Sequence, residues 1–287
     1  IQDSFVSLAT PPNVVSVDQL KSHSSEVKTW LKERTFQQFP DSAVPLNPEL
    51  VFRTIDYAAH GVEKYMINTE TGWKLKTTIY WRHPKQERKP MMVILRNPEE
   101  EKNASEQFSY QLDNQWNVAI VDVRGVGESG WPADQQWHVR RASAWTGRTI
   151  ASMRVYDLLR FLEFFRTLPG VDADQIGVAG RNEMAVIALY GALLDGECQT
   201  VVLQDPPASQ NLTSNGNGRG DAIEMLNCLR ITDVNQLPAL IYPTRTVFVG
   251  EIPEAYQWAQ QSMRQLGLDG SIESVPKLEQ FLSLQSQ

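Results

Sequence analysis

Side chains whose types and spacing could do chemistry together group between positions 122 and 209. Asp122-Val123-Arg124-Gly125-Val126-Gly127-Glu128-Ser129-Gly130 follows an apolar stretch. It reads as a tight, glycine-permitted turn with Asp122 and Arg124 able to pair across it. Just beyond it, Trp131, Trp137 and Trp145 bracket His138 on what reads as a loop. An imidazole there could act as a general base, and the hydroxyls of Ser129, Ser152 and Ser209 are the nucleophiles it could serve. None of the three serines stands where an apolar strand turns sharply into a helix, and an exposed loop histidine is the simpler account of His138. Indole faces among Gln135, Gln136 and Arg140 suit stacking on a sugar ring or docking against a protein. Packing over a sheet edge is the plain alternative.

The remaining chemistry-bearing residues are sparse. There are four histidines, His23, His60, His83 and His138, and two cysteines, Cys198 and Cys228. Nothing near the cysteines has metal-ligand spacing, so no metal or other cofactor is expected, and one disulfide stays open. Asn103-Ala104-Ser105 and Asn211-Leu212-Thr213 are glycosylation sequons, relevant only in a eukaryotic secretory setting. Arg219-Gly220-Asp221 matches an adhesion tripeptide and is read as chance.

The elements that must position these residues are those of an ordinary globular chain. Its 287 residues are 41% hydrophobic and 21% charged, which excludes disorder, collagen-like repeats and a coiled coil. A net charge of -7 disfavours a nucleic-acid partner, and charged residues interrupt every apolar run short of a membrane span. The chain begins Ile1-Gln2-Asp3, without Met or a signal peptide, and reads as a trimmed chain or a piece of a longer polypeptide.

A helix is expected over about residues 17–36, with Ser16 as N-cap, then a proline-rich connection through Pro40, Pro45 and Pro48. Residues from about 50 to 82 read as antiparallel strands, with Thr71-Gly72 as a turn. Strands at about 91–95, 118–123, 176–179, 201–203, 246–249 and 271–275 then alternate with helices near 149–167, 184–194, 254–266 and 277–284. A polar loop spans about 209–220. The pattern predicts an α/β fold: a mainly parallel sheet with helices on both faces and an antiparallel N-terminal edge. Residues 1–48 are expected to form a linker and helical prefix, and residues 49–287 the α/β domain.

The turn 122–130, Arg154-Val155-Tyr156-Asp157 and Asp174-Gln175-Ile176-Gly177-Val178-Ala179-Gly180-Arg181 together resemble the α/β-hydrolase superfamily. Within it, the chain is similar to bacterial acetyl xylan esterase-type and prolyl-oligopeptidase-like hydrolases. The resemblance covers roughly position 52 to the C-terminus. It implies an α/β-hydrolase fold, carboxylic-ester hydrolysis, carbohydrate as substrate class, and a periplasmic or secreted location. It also implies three parts: a nucleophile on a Gly-x-Ser-x-Gly elbow, a histidine base after the last strand, and donors for the oxyanion.

Each implied part departs from the pattern. The elbow stretch is Gly180-Arg181-Asn182-Glu183-Met184, with Asn182 where serine belongs and Met184, expected to crowd the turn, for the second glycine. No histidine follows the elbow; Glu251 or Glu254 could fill the acid position without one to orient, and otherwise reads as an exposed helix-start carboxylate. The oxyanion loop matches residues 95–101, which lack glycine and carry Glu99-Glu100-Glu101, expected to face and oppose a developing oxyanion.

Three functions fit. The first is a degenerate, silent hydrolase-fold domain, partner to an esterase domain before Ile1 or on another subunit. The second is an active polysaccharide deacetylase with an unorthodox or inter-chain site, in which His138 would be the base. The third is a glycan-binding module using Trp131, Trp137 and His138.

Overall fold

The computed structural model describes residues 7–54, 61–84, 87–98, 100–101, 103–112, 115–211 and 220–279. The sheet elements are β1 (Glu49–Arg53), β2 (Gly61–Glu70), β3 (Trp73–Trp81), β4 (Lys89–Leu95), β5 (Asn117–Val121), β6 (Val171–Arg181), β7 (Thr200–Gln204), β8 (Arg245–Val249) and β9 (Ile272–Val275). They form one sheet of nine strands in the order β1-β2-β3-β5-β4-β6-β7-β8-β9. The pairs β1–β2, β2–β3 and β3–β5 are antiparallel, and every pair from β5–β4 to β8–β9 is parallel. The expected antiparallel N-terminal edge on a parallel sheet is therefore present.

The helices are α1 (Val17–Trp30), α2 (Ala104–Tyr110), α3 (Gln136–Trp145), α4 (Ile150–Arg166), α5 (Glu183–Asp195), the single turn α6 (Leu237–Leu240) and α7 (Gln257–Gln265). Ser16 caps α1, its Oγ accepting from Gln19 N at 3.2 Å. The α-helix stops at Trp30, earlier than the apolar spacing implies, and continues as a π-helical turn over Leu31–Thr35, where Phe36 N donates to Leu31 O at 2.8 Å. At the other end of the chain, residues 280–284 of the expected last helix lie outside the described residues.

The central strands are apolar on both faces because both faces are covered. Val93, Leu95, Val178, Val201 and Leu203 point into the larger core, with α1, α4, α5 and α7. Met92, Ile94, Val118, Ile120 and Val202 point the other way, against Phe108 of α2, Leu112 and Trp116. Leu20, Val27 and Leu31 of the N-terminal helix lie in the larger core with the sheet residues. No helix among the described residues is long and apolar enough to cross a membrane.

Candidate functional site

The elbow is built where β6 runs into α5. Asn182 sits between them at φ 49 and ψ -127, a conformation costly for any side chain. Two hydrogen bonds impose it: Asn182 N donates to Gln204 O on β7, and Ala185 N donates back to Asn182 O, both at 3.0 Å. Gly180 is needed beneath, because a Cβ there would come within 2.7 Å of Ala185 N. Met184 does not crowd the turn as its size suggested. Its side chain is turned into the larger core and fully buried, while Asn182 is left exposed at the tip.

Charged residues brace the elbow from both sides. Below it, Glu183 is buried, accepting from Arg154 Nη1 at 3.1 Å and from Ala222 N at 2.6 Å. Burial pushes the Arg154 guanidinium below its ordinary pKa, with Glu183 pulling the other way. Arg154 Nε also donates to Arg124 O at 3.1 Å, which joins α4 to the glycine-rich turn.

Arg124 itself does not pair with Asp122. Its guanidinium forks onto Asp157 at 2.8 and 2.6 Å and reaches Glu70 at 3.0 Å, while Asp122 binds Arg96 at 2.8 Å and Lys76 at 3.6 Å. Asp122 turns to Lys76 of β3 and to Arg96 after β4, whereas Arg124 turns to Asp157 of α4 and Glu70 of β2, partners that residue spacing along a turn cannot reveal.

The loop after β4 occupies the place the resemblance assigns to oxyanion donors. There the Glu100 carboxylate accepts from Asn97 N at 3.1 Å, Ser105 N at 3.2 Å and Ser105 Oγ at 2.7 Å. It also pairs with Arg96 at 3.0 Å and Arg181 at 2.8 Å. Of the acidic run expected to oppose an oxyanion, Glu100 is ion-paired with two guanidinium groups, Glu101 is exposed, and Glu99 lies outside the described residues. Arg96 is held well above the ordinary arginine range by Glu106 and Asp122, although burial opposes this. Sequence reading missed this cluster because its members lie up to 85 positions apart.

The three serines each have a structural task. Ser129 Oγ accepts from Gly125 N at 3.1 Å and donates to Val126 O at 2.9 Å, closing the turn. Ser152 completes a capping box with Thr149 at the start of α4. Ser209 Oγ donates to Asp233 Oδ2.

Positions 131–145, expected as a loop, are largely the helix α3. It is anchored by Arg140, which forks onto Glu224 and reaches Asp221 O, both contacts near 2.7–2.8 Å. Trp131 is half-buried with its ring on the backbone of Gly125, where a Cβ would come within 2.6 Å of the indole. Trp137, also half-buried, lies 4.4 Å beneath the Arg141 guanidinium and edge-on to the exposed His138. Trp145 is 85% exposed. Glu251 follows Gly250 at the end of β8, and both it and Glu254 are exposed. His60 lies outside the described residues.

Among the described residues, no three or more His, Cys, Asp or Glu side chains come together to hold a metal ion. Cys198 and Cys228 are buried free thiols, and burial lifts Cys228 to about 12.

No family model matches the sequence, and no curated protein matches it either. Solved structures do. A Bacteroides fragilis NCTC 9343 protein, provisionally described as an acetyl xylan esterase, superposes with a TM-score of 0.74 at 12% identity, over 92% of this chain and 77% of its own. A glucuronoyl esterase from Solibacter usitatus superposes at 0.64 and 11% identity, over 99% and 98%. Acetyl xylan esterase 1 from Thermoanaerobacterium sp. JW/SL YS485 does so at 0.58 and 14% identity, over 93% and 90%. With its mainly parallel nine-stranded sheet and its strand–elbow–helix unit, the chain has the α/β-hydrolase fold, in the form these esterases take.

Proposed function

We propose that the chain is a catalytically silent hydrolase-fold domain that partners an active carbohydrate esterase. The partner would be an upstream domain of the same polypeptide or another subunit, with this domain docking or positioning substrate. The observation that carries the reading is the elbow: the strained backbone of a nucleophile position is built in full, yet its tip holds the amide of Asn182. An amide is a poor nucleophile, and the sequence offers Glu251 but no histidine after the elbow. The expected result is hydrolysis of p-nitrophenyl acetate and of methyl glucuronate at the buffer rate. A saturable turnover abolished by His138→Ala would overturn silence and favour an active hydrolase with a base on α3.

Glycan binding is a second reading, favoured by the exposed indole of Trp145 and the Arg141–Trp137 stack on the same helix. Titration with acetylated and plain xylo-oligosaccharides, followed by tryptophan fluorescence, tests it. A saturable response lost in Trp137→Ala supports it, whereas no response at millimolar sugar leaves protein docking as the role of this face.

A further inference from the structure

The Asn182 backbone torsions have a chemical consequence independent of any hydrolase activity. About the Cα–C bond, Cβ is offset from the residue's own nitrogen by about 120°. At ψ -127, Cβ is therefore within about 10° of eclipsing the backbone nitrogen of Glu183. That is the near-planar arrangement of a five-membered ring made of Asn182 Cα, Cβ, Cγ and C with Glu183 N. Helical and extended backbones hold the same two groups far from this plane, which protects most asparagines in folded proteins.

Three further features favour ring closure. The Asn182 side chain is exposed and makes no capping hydrogen bond, so its amide carbon can swing towards the nitrogen. Glu183 is the first residue of α5, so its N–H has no acceptor within the helix. The positive end of the helix dipole favours loss of that proton. Meanwhile the Glu183 side chain is tied below the elbow to Arg154 and Ala222.

We propose that the elbow makes Asn182 a self-modification site, at which the folded chain converts this asparagine through a cyclic imide to aspartate or isoaspartate. The Glu183 nitrogen loses its proton and bonds to Asn182 Cγ, and the Cγ–Nδ2 bond breaks. Nδ2 leaves as ammonia, carrying the proton. Water then adds across one of the two imide C–N bonds, so asparagine plus water becomes aspartate or isoaspartate plus ammonia. The product places a carboxylate at the elbow tip.

Two other asparagines serve as controls in the same molecule. Asn103 (φ 66, ψ 16) and Asn227 (φ 63, ψ -3) are exposed and left-handed, yet their ψ values hold the next nitrogen well out of the ring plane. Both precede smaller residues than Glu183, Ala104 and Cys228, so sterics along the unfolded chain favour them over Asn182.

The test is to incubate the chain in mildly alkaline buffer, native and unfolded in urea, and follow each asparagine by peptide mass spectrometry. Conversion adds about one dalton. Asn182→Asp supplies the reference for separating the aspartyl from the isoaspartyl product. The expected result is conversion at Asn182 at least about tenfold faster in the native chain than in urea, and faster than at Asn103 or Asn227 in the native chain. Equal or faster conversion in urea, a native chain in which Asn103 or Asn227 leads, or an unchanged Asn182 would each overturn it.

Discussion

Arg181 reaches from the elbow to Glu100 on the neighbouring loop, Nη2 to Oε2 at 2.8 Å, and the same carboxylate takes up the Asn97 N–H. A single side chain thus ties the end of β6 to the loop after β4 and supplies an internal anion there. Glu100→Ala should leave Arg96 and Arg181 short of a partner and strip the acceptor from Ser105. We expect a loss of about 2–3 kcal/mol in urea unfolding, since charged hydrogen bonds are worth more than neutral ones.

The Arg154–Glu183 pair is more deeply buried, with both residues below 10% exposure. Glu183→Ala should cost about 3–5 kcal/mol by leaving the guanidinium uncompensated. Arg154→Met combined with Glu183→Leu should cost clearly less than Glu183→Ala alone, because no buried charge is left over. Chemical denaturation of the three proteins checks the order.

Strain at Asn182 should be recoverable. Glycine adopts a positive φ without the Cβ penalty, so Asn182→Gly is expected to stabilise the chain by about 1 kcal/mol after its entropic cost. Gly180→Ala should do the reverse by about 1–3 kcal/mol, as its Cβ meets helix backbone rather than a side chain that can move. Thermal melts of the pair distinguish the two effects.

Stability should fall in acid. Burial alone would raise the carboxyl pKa of Glu106, Glu70 and Asp195, but their arginine partners outweigh it and hold each below its ordinary value, 4.5 for glutamate and 3.8 for aspartate. A depressed folded pKa contributes stability that is present above the unfolded value and lost as pH falls through the folded one. The urea midpoint should therefore hold near neutrality and drop as pH falls from about 4.5 downward. Glu70→Gln or Asp195→Asn should flatten that slope.

Catalytic repair should fail. Removing the serine or the histidine of a serine hydrolase costs roughly 10⁶ in turnover because they act as a unit. Asn182→Ser restores a hydroxyl without a base, and the further Met184→Gly change only removes a core side chain that does not face the turn. Neither variant should hydrolyse p-nitrophenyl acetate above the buffer rate, and saturable turnover by either would contradict this.

The alternation of apolar strands with helical connections, the antiparallel edge and the Gly180–Met184 elbow were all legible in the linear chain. Each depends on local periodicity or on a residue type that a turn demands, and such signals lie within a few neighbouring positions. The same holds for the Ser16 cap and for Asn182 at the elbow tip. Folding decided the rest. Whether Glu100 repels charge or satisfies it depends on Arg96 and Arg181 arriving beside it from the ends of two strands. Arg124 found Asp157 rather than Asp122 because α4 brings that carboxylate to within 2.6 Å of its guanidinium. Met184, read as an obstruction, became core because its side chain points away from the turn. Pairings of this kind are set by sheet order and by which distant elements pack together, and neither is encoded in spacing along the chain.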